Sequence, residues 1–215
     1  MNLRHRALLL DLDGTLIDSA AIIRGGLRAA LASLGLPDRS DAELSVCLGL
    51  PITHVWLHLG IPAGRHGAAV AGYRAWSAAS GGQAAARPFP GIDELLARLH
   101  AANCRLILAT AKDPQSAGRA LERHRWQHLF AGWAGAEPGD GPDKRAVVAR
   151  ALAQLAKDSA AAMVGDMPAD GDAAQVAGIP FVAVAWGSGV PAEVAAQRPV
   201  FTAQTPQELA GYLLG

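Results

Sequence analysis

The sequence predicts an α/β protein: a doubly wound parallel sheet with an inserted all-helical block. Three observations predict it. Short apolar runs recur at residues 7–10, 105–109, 161–164 and 181–185, the kind that fill strands buried on both faces. From residue 88 onward such runs alternate with segments of helical periodicity, which argues for parallel strands joined by crossover helices. Between residues 18 and 87 helical spacing recurs with no strand pattern at all. The chain has 215 residues, enough for one sizeable core plus a small insertion. The expected division is therefore a core of residues 1–17 and 88–215 and a helical unit of residues 18–87.

Taken in order, residues 7–10 form the first strand. Residues 19–34 read as an amphipathic helix, with Ile22, Ile23, Leu27, Ala30, Leu31 and Leu34 on one face, closed by Gly35. Helical pieces come next at 41–48, started by Ser40 or Asp41, then at 52–59 and 68–79; Ser80-Gly81-Gly82 is a loop signal. Flexible crossings are expected near 15–19 and 83–90. A helix at 92–102 leads to the second strand, 105–109. Next come a helix at 114–123 with Pro114 in its first turn and Asp113 as its cap, and a third strand at 129–134. A helix at 143–156 leads to the fourth strand, 161–164. A short helix at 171–177, a fifth strand at 181–185, an extended segment at 200–202 and a helix at 206–214 complete the chain.

Composition narrows the function. Hydrophobic residues make up 51% and charged residues 18%, which fits a globular chain, and the formal net charge of zero gives no footprint for a nucleic-acid partner. The apolar run at 7–10 is too short for a signal-peptide core or a membrane span, so a soluble cytoplasmic protein is expected, monomer or homodimer. Cys47 and Cys104 fit no metal spacing or disulfide framework and read as buried small hydrophobes. Lysine occurs only at Lys112, Lys144 and Lys157.

The chemistry-bearing stretch is Leu10-Asp11-Leu12-Asp13-Gly14-Thr15, at the end of the first strand. Residues i and i+2 of an extended chain point the same way, so Asp11 and Asp13 are expected to project together. Each would raise the other's pKa unless a hard divalent cation such as magnesium sat between them. Taken alone, Asp-x-Asp-Gly is better read as a turn or helix cap. The strand before it, and Thr15 and Asp18 after it, make it more specific. Thr110 closes the second strand, Lys144 opens a helix, and Gly165-Asp166-Met167-Pro168-Ala169-Asp170 comes after the fourth strand. In an open parallel sheet the site lies at the carboxyl ends of the strands, which is the reason to join these residues.

In that order the four features resemble the signatures of the haloacid dehalogenase (HAD) superfamily. Ala177-Gly178-Ile179-Pro180 and Trp186-Gly187-Ser188-Gly189 resemble the segments beyond the fourth signature in its phosphoglycolate-phosphatase-like members. The resemblance implies a Rossmann-like core, a helical cap at 18–87 and phosphatase activity on a small phosphomonoester: phosphoglycolate-like, a nucleotide or a sugar phosphate. It implies that Asp11 attacks phosphorus and that Asp13 acts as general acid and base. Thr110 would hydrogen-bond the phosphoryl group, and Lys144 would balance the charge on Asp11 and on that group. Magnesium would be held by Asp11, the backbone carbonyl of Asp13, Asp166 and Asp170. Lys112 is a rival for the cationic role; Lys144 is preferred because it stands where the third signature should be. Arg145 reads as solvated, Asp172 as an exposed first-turn acid, and Asp18 divides evenly between helix cap and function. Among cap residues, Arg24, Arg28, His54, Trp56, His58, Arg65, His66 and Arg74 are candidates to hold an anionic substrate; for each, solvation or packing is the commoner explanation. Ala111 stands where many relatives have asparagine, which puts the substrate class in question. No lysine lies between Ser19 and Arg87, so a Schiff-base phosphonatase is set aside. A phosphoglucomutase-like transferase and a non-catalytic binding protein remain as alternatives.

Overall fold

The computed structural model describes residues 3–82, 85–156 and 160–215. Lys157 and Gln83 therefore lie outside the described residues. The chain opens with β1 (Ala7–Leu10) and a two-residue strand β2 (Ile17–Asp18). Four helices come next: α1 (Ala20–Ser33), α2 (Asp41–Ser45), α3 (Ile52–His58) and α4 (His66–Ala79), the last preceded by a short 3-10 turn. After them stand β3 (Arg87–Pro88), α5 (Ile92–Ala101), β4 (Arg105–Ala109), α6 (Pro114–Arg123), β5 (Phe130–Ala134) and α7 (Arg145–Leu152). The chain ends with β6 (Ala161–Gly165), α8 (Pro168–Val176), β7 (Phe181–Val184), α9 (Pro191–Ala196), β8 (Phe201–Ala203) and α10 (Pro206–Leu214).

Six strands pair in parallel in the order β5-β4-β1-β6-β7-β8. β1 sits centrally, with Leu10 opposite both Leu108 and Val164. Its side chains alternate between faces. Leu8 and Leu10 join the core formed with α5, α6 and α10; Ala7 and Leu9 join the one formed with α7, α8 and α9. This is the doubly wound arrangement, and the chain switches direction across the sheet beside β1. Cys47 and Cys104 are both buried and unbridged, and burial pushes their thiols up to about 11 and about 12.

The four helices before β3 pack a third core of their own around Leu27, Leu31, Leu44, Val55 and Trp56. α1 and α4 cross closely because glycines stand at the contact: a Cβ on Gly26 would overlap the Tyr73 ring, and one on Gly25 the Trp76 ring. α2 starts with a reciprocal cap, Ser40 accepting from the Glu43 amide and Glu43 accepting from the Ser40 amide at 2.9 Å.

Several boundaries differ from expectation. The crossings expected to be flexible pair with each other: β2 and β3 form an antiparallel ribbon, Ile17 opposite Pro88 and Asp18 opposite Arg87. Asp18 is an exposed strand residue, and Ser19 occupies the cap position of α1. α7 is shorter than the expected 143–156, and Lys144 is its cap residue rather than part of its first turn. α8 starts at Pro168, not at 171, so Asp170 lies in its first turn. α9 had not been expected at all. Among the described residues, no helix is long and apolar enough to cross a membrane.

Candidate active site

The chain leaves β1 into a tight turn. The Gly14 amide donates to the Ile17 carbonyl at 2.9 Å, and the Leu16 and Ile17 amides both donate to the Leu12 carbonyl. Gly14 takes φ +80, and a Cβ there would overlap the Asp166 carboxylate, so glycine is required twice over. The two aspartates meet different cations. Asp11 is buried and meets Lys144, Nζ to Oδ1 2.6 Å. Asp13 is part-exposed and meets Lys112 and the hydroxyl of the buried Ser19, which donates to it. Each aspartate thus has its own lysine.

The carboxylates that crowd Asp11 come from β6 and α8 instead. Asp11, Asp166 and Asp170 each offer an oxygen within 4.8 Å of the others, and all three are buried. Asp170 accepts from Lys144 Nζ at 2.6 Å and from the Met167 amide at 3.0 Å. Asp166 accepts from the Thr15 hydroxyl at 2.9 Å and the Ser188 amide at 2.8 Å. Thr15 is fixed in turn by the Trp186 indole, which donates to its carbonyl at 3.0 Å. Glycines let this shell close: a Cβ on Gly187 would overlap Asp166, and one on Gly165 would overlap Asp170.

Burial pushes the Asp11 carboxyl well above its ordinary range; Lys144 opposes this, while the Asp170 and Asp166 charges add to it. Burial and the Asp170 charge hold Asp166 up to about 6, against the hydrogen bonds from Ser188 and Thr15. Burial works to lower the Lys144 ammonium, but the Asp11 and Asp170 charges and hydrogen bonds outweigh it and hold it above the usual lysine range. One lysine among three buried carboxylates leaves negative charge uncompensated. An all-oxygen donor set with surplus negative charge fits a hard divalent cation.

Thr110 is buried at the end of β4, its amide donating to Ala134 at 3.0 Å and its hydroxyl accepting from the Lys112 amide at 3.3 Å. Beside it opens a cleft of about 640 Å³, lined by Asp13, Ala111, Lys112 and α6 on one side and by α1, α3 and α4 on the other. Of the cations considered in the helical block, Arg74 lines it. Arg24 and Arg28 pair with Asp41, Arg65 donates to the Leu34 carbonyl at 2.6 Å, His66 bonds to Ile61, and Trp56 is buried in the helical core. Leu48 and Gly49 approach the carboxylates, and a Cβ on Gly49 would touch Met167. Arg145 and Asp172, expected to be solvated, pair with each other at 2.8 Å on the surface.

The profile of the haloacid dehalogenase-like hydrolases matches residues 8–184. The chain belongs to this family. It is 38% identical over 183 residues, 84% of its length, to a protein of Mycobacterium tuberculosis named tyrosine-protein kinase PtkA; it spans only 62% of that relative's length. It is 32% identical over 212 residues, 94% of each chain, to a phosphoglycolate phosphatase of Xanthomonas campestris. A solved haloacid dehalogenase-like hydrolase from Streptococcus pneumoniae superposes with a TM-score of 0.85 at 30% identity, covering 97% of this chain and 98% of its own. Within this haloacid dehalogenase-like chain, Ser19, Ser188 and Lys112 support site carboxylates in ways the sequence reading missed. Trp186-Gly187-Ser188-Gly189 is a recognisable pattern in the sequence, and the fold shows that it wraps Asp166.

Proposed function

We propose that this chain is a magnesium-dependent phosphatase of small phosphomonoesters, acting through an aspartyl-phosphate on Asp11. The observation that carries the reading is the buried Asp11 held 2.6 Å from Lys144 beside Asp166 and Asp170, with Asp13 two residues on at the cleft. Magnesium, bound by Asp11, the Asp13 carbonyl, Asp166 and Asp170, would supply charge neutralisation for carboxylates and phosphoryl oxygens. An Asp11 oxygen attacks phosphorus as the bond to the alcohol breaks, and Asp13 gives the leaving alcohol its proton. Asp13 then takes a proton from a water that attacks the acyl phosphate, releasing phosphate and freeing Asp11. Lys112 and Ser19 orient Asp13 between the steps. Thr110 donates to the transferring group. Lys144 offsets its charge, a contribution commonly worth about 10²–10³ in rate. Residues 18–87 act as the cap that closes the site over substrate.

The test is phosphate release from a panel of phosphomonoesters, with and without magnesium, by wild type and Asp11→Asn. Metal-dependent release that disappears in the variant supports the reading. Release that persists in Asp11→Asn overturns it. The 38% identity to a protein named tyrosine-protein kinase favours a second reading, phosphoryl transfer from a nucleotide to a tyrosine hydroxyl. Adding ATP with a tyrosine peptide separates the two, since transfer yields phosphopeptide and hydrolysis yields inorganic phosphate. Interconversion of sugar phosphates without free phosphate would identify a mutase. Magnesium binding with no turnover of any kind would identify a binding protein.

A further inference from the structure

The cleft is larger than a two-carbon phosphate ester needs. Its volume falls within the roughly 300–1,000 Å³ of pockets that enclose drug-sized ligands. Its two walls differ in chemistry. The helical block contributes Ile23, Leu50, Ile52 and Val70, an apolar surface. The opposite wall is one face of α6, where Ser116, Arg119 and Arg123 recur at helical spacing. Asp13 and Lys112 mark the reacting end. Arg123 lies about 6 Å further along the helix than Arg119, from the rise of an α-helix. Ala111 lines the same cleft and contributes no polar group to it.

Arg74 reaches the cleft from α4. Among the described residues, Arg74, Arg119 and Arg123 form no salt bridge, whereas Arg28, Arg145 and Arg150 do. Arg74 and Arg119 share the lining carboxylate of Asp113, which is already engaged by the Ser116 amide and hydroxyl at 2.9 and 2.7 Å. Burial raises the Asp113 carboxyl, but the Ser116 hydrogen bonds, and then the Arg119 and Arg74 charges, hold it below its ordinary range. Arg74 and Arg119, from the two sides of the cleft, therefore act on the same point and leave positive charge in excess there.

We propose that Arg74 and Arg119 form a second anion subsite, and that the substrate is an elongated phosphomonoester with a partly apolar body and a second anionic group at its far end. This rests on the phosphatase reading for where the phosphoryl group sits. The apolar wall of the helical block covers the body, and the arginines take the distal carboxylate or phosphate as charge-assisted hydrogen bonds.

The test compares 2-naphthyl phosphate with 6-carboxy-2-naphthyl phosphate as substrates, and the two corresponding phosphonates as ligands by calorimetry with magnesium. Wild type is set against the double variant Arg74→Ala, Arg119→Ala, with a thermal melt to confirm folding. Wild type is expected to favour the carboxylated member of each pair by about ten- to a hundredfold, the scale of a hydrogen bond to a charged group. In the double variant that ratio is expected to fall towards one. Equal binding of the two phosphonates by wild type overturns the subsite, as does a preference that survives the double substitution. Turnover of neither ester, with discrimination between the phosphonates intact, counts against the phosphatase reading and leaves the subsite standing.

Discussion

Asp11 and Asp13 were legible in the sequence as a pair of acids, and Lys144 as the cation for Asp11, but the Lys112 and Ser19 partners of Asp13 were not. Lys144 is buried against two carboxylates, whereas Lys112 and Asp13 keep partial solvent contact. The same substitution at the two lysines is therefore expected to differ in cost. Lys144→Met strands Asp11 and Asp170 in the interior, and removing one partner of a buried pair costs about 3–5 kcal/mol. Lys112→Met leaves the partly accessible Asp13 with Ser19, for a smaller loss of about 1–3 kcal/mol. Urea unfolding of the two variants in the absence of metal checks this, and equal losses would contradict the difference in burial.

At the scale of elements, the strands were the most legible part, because an apolar run bounded by polar residues has few other uses in a chain of this composition. The helix starts were less so. Pro168 at the first helical position and Asp170 at the third are start signals for α8, yet both belong to the acidic motif, and the site reading absorbed them. The β2–β3 ribbon was invisible because it pairs two-residue segments about seventy positions apart, too short to show a period. The close crossing of α1 and α4 was also hidden, since a glycine in a helix shows its use only once its neighbour is known. Gly26→Leu is expected to destabilise the protein. Replacing helical glycine gains about 1 kcal/mol, but driving a side chain into the Tyr73 ring costs about 1–3 kcal/mol as overpacking. Overpacking wins, and the urea midpoint falls. A midpoint that rises would mean that α4 moves aside freely.

At the scale of the whole molecule, the alternation of strand and helix was enough to place Asp11, Thr110 and Asp166 at one end of one sheet, and the fold agrees. What the alternation could not supply was the cleft, because its walls come from α4 and α6, which belong to different cores. The sheet also explains how a costly cluster is tolerated. Three carboxylates from β1, β6 and α8 are held together by a fold stabilised elsewhere, in two apolar layers. A cation binding there is therefore expected to stabilise the entire chain. At a hundred times its dissociation constant, magnesium would add about 2.7 kcal/mol, and a chain of this size would melt roughly 5–10 °C higher. Asp166→Asn supplies the control. It removes one buried negative charge while keeping an oxygen for the Ser188 amide and a group for Thr15. The variant is expected to melt no lower than wild type without metal, and to lose most of the magnesium-dependent rise. A rise as large in Asp166→Asn as in wild type would place the cation elsewhere and detach the acidic cluster from metal binding altogether.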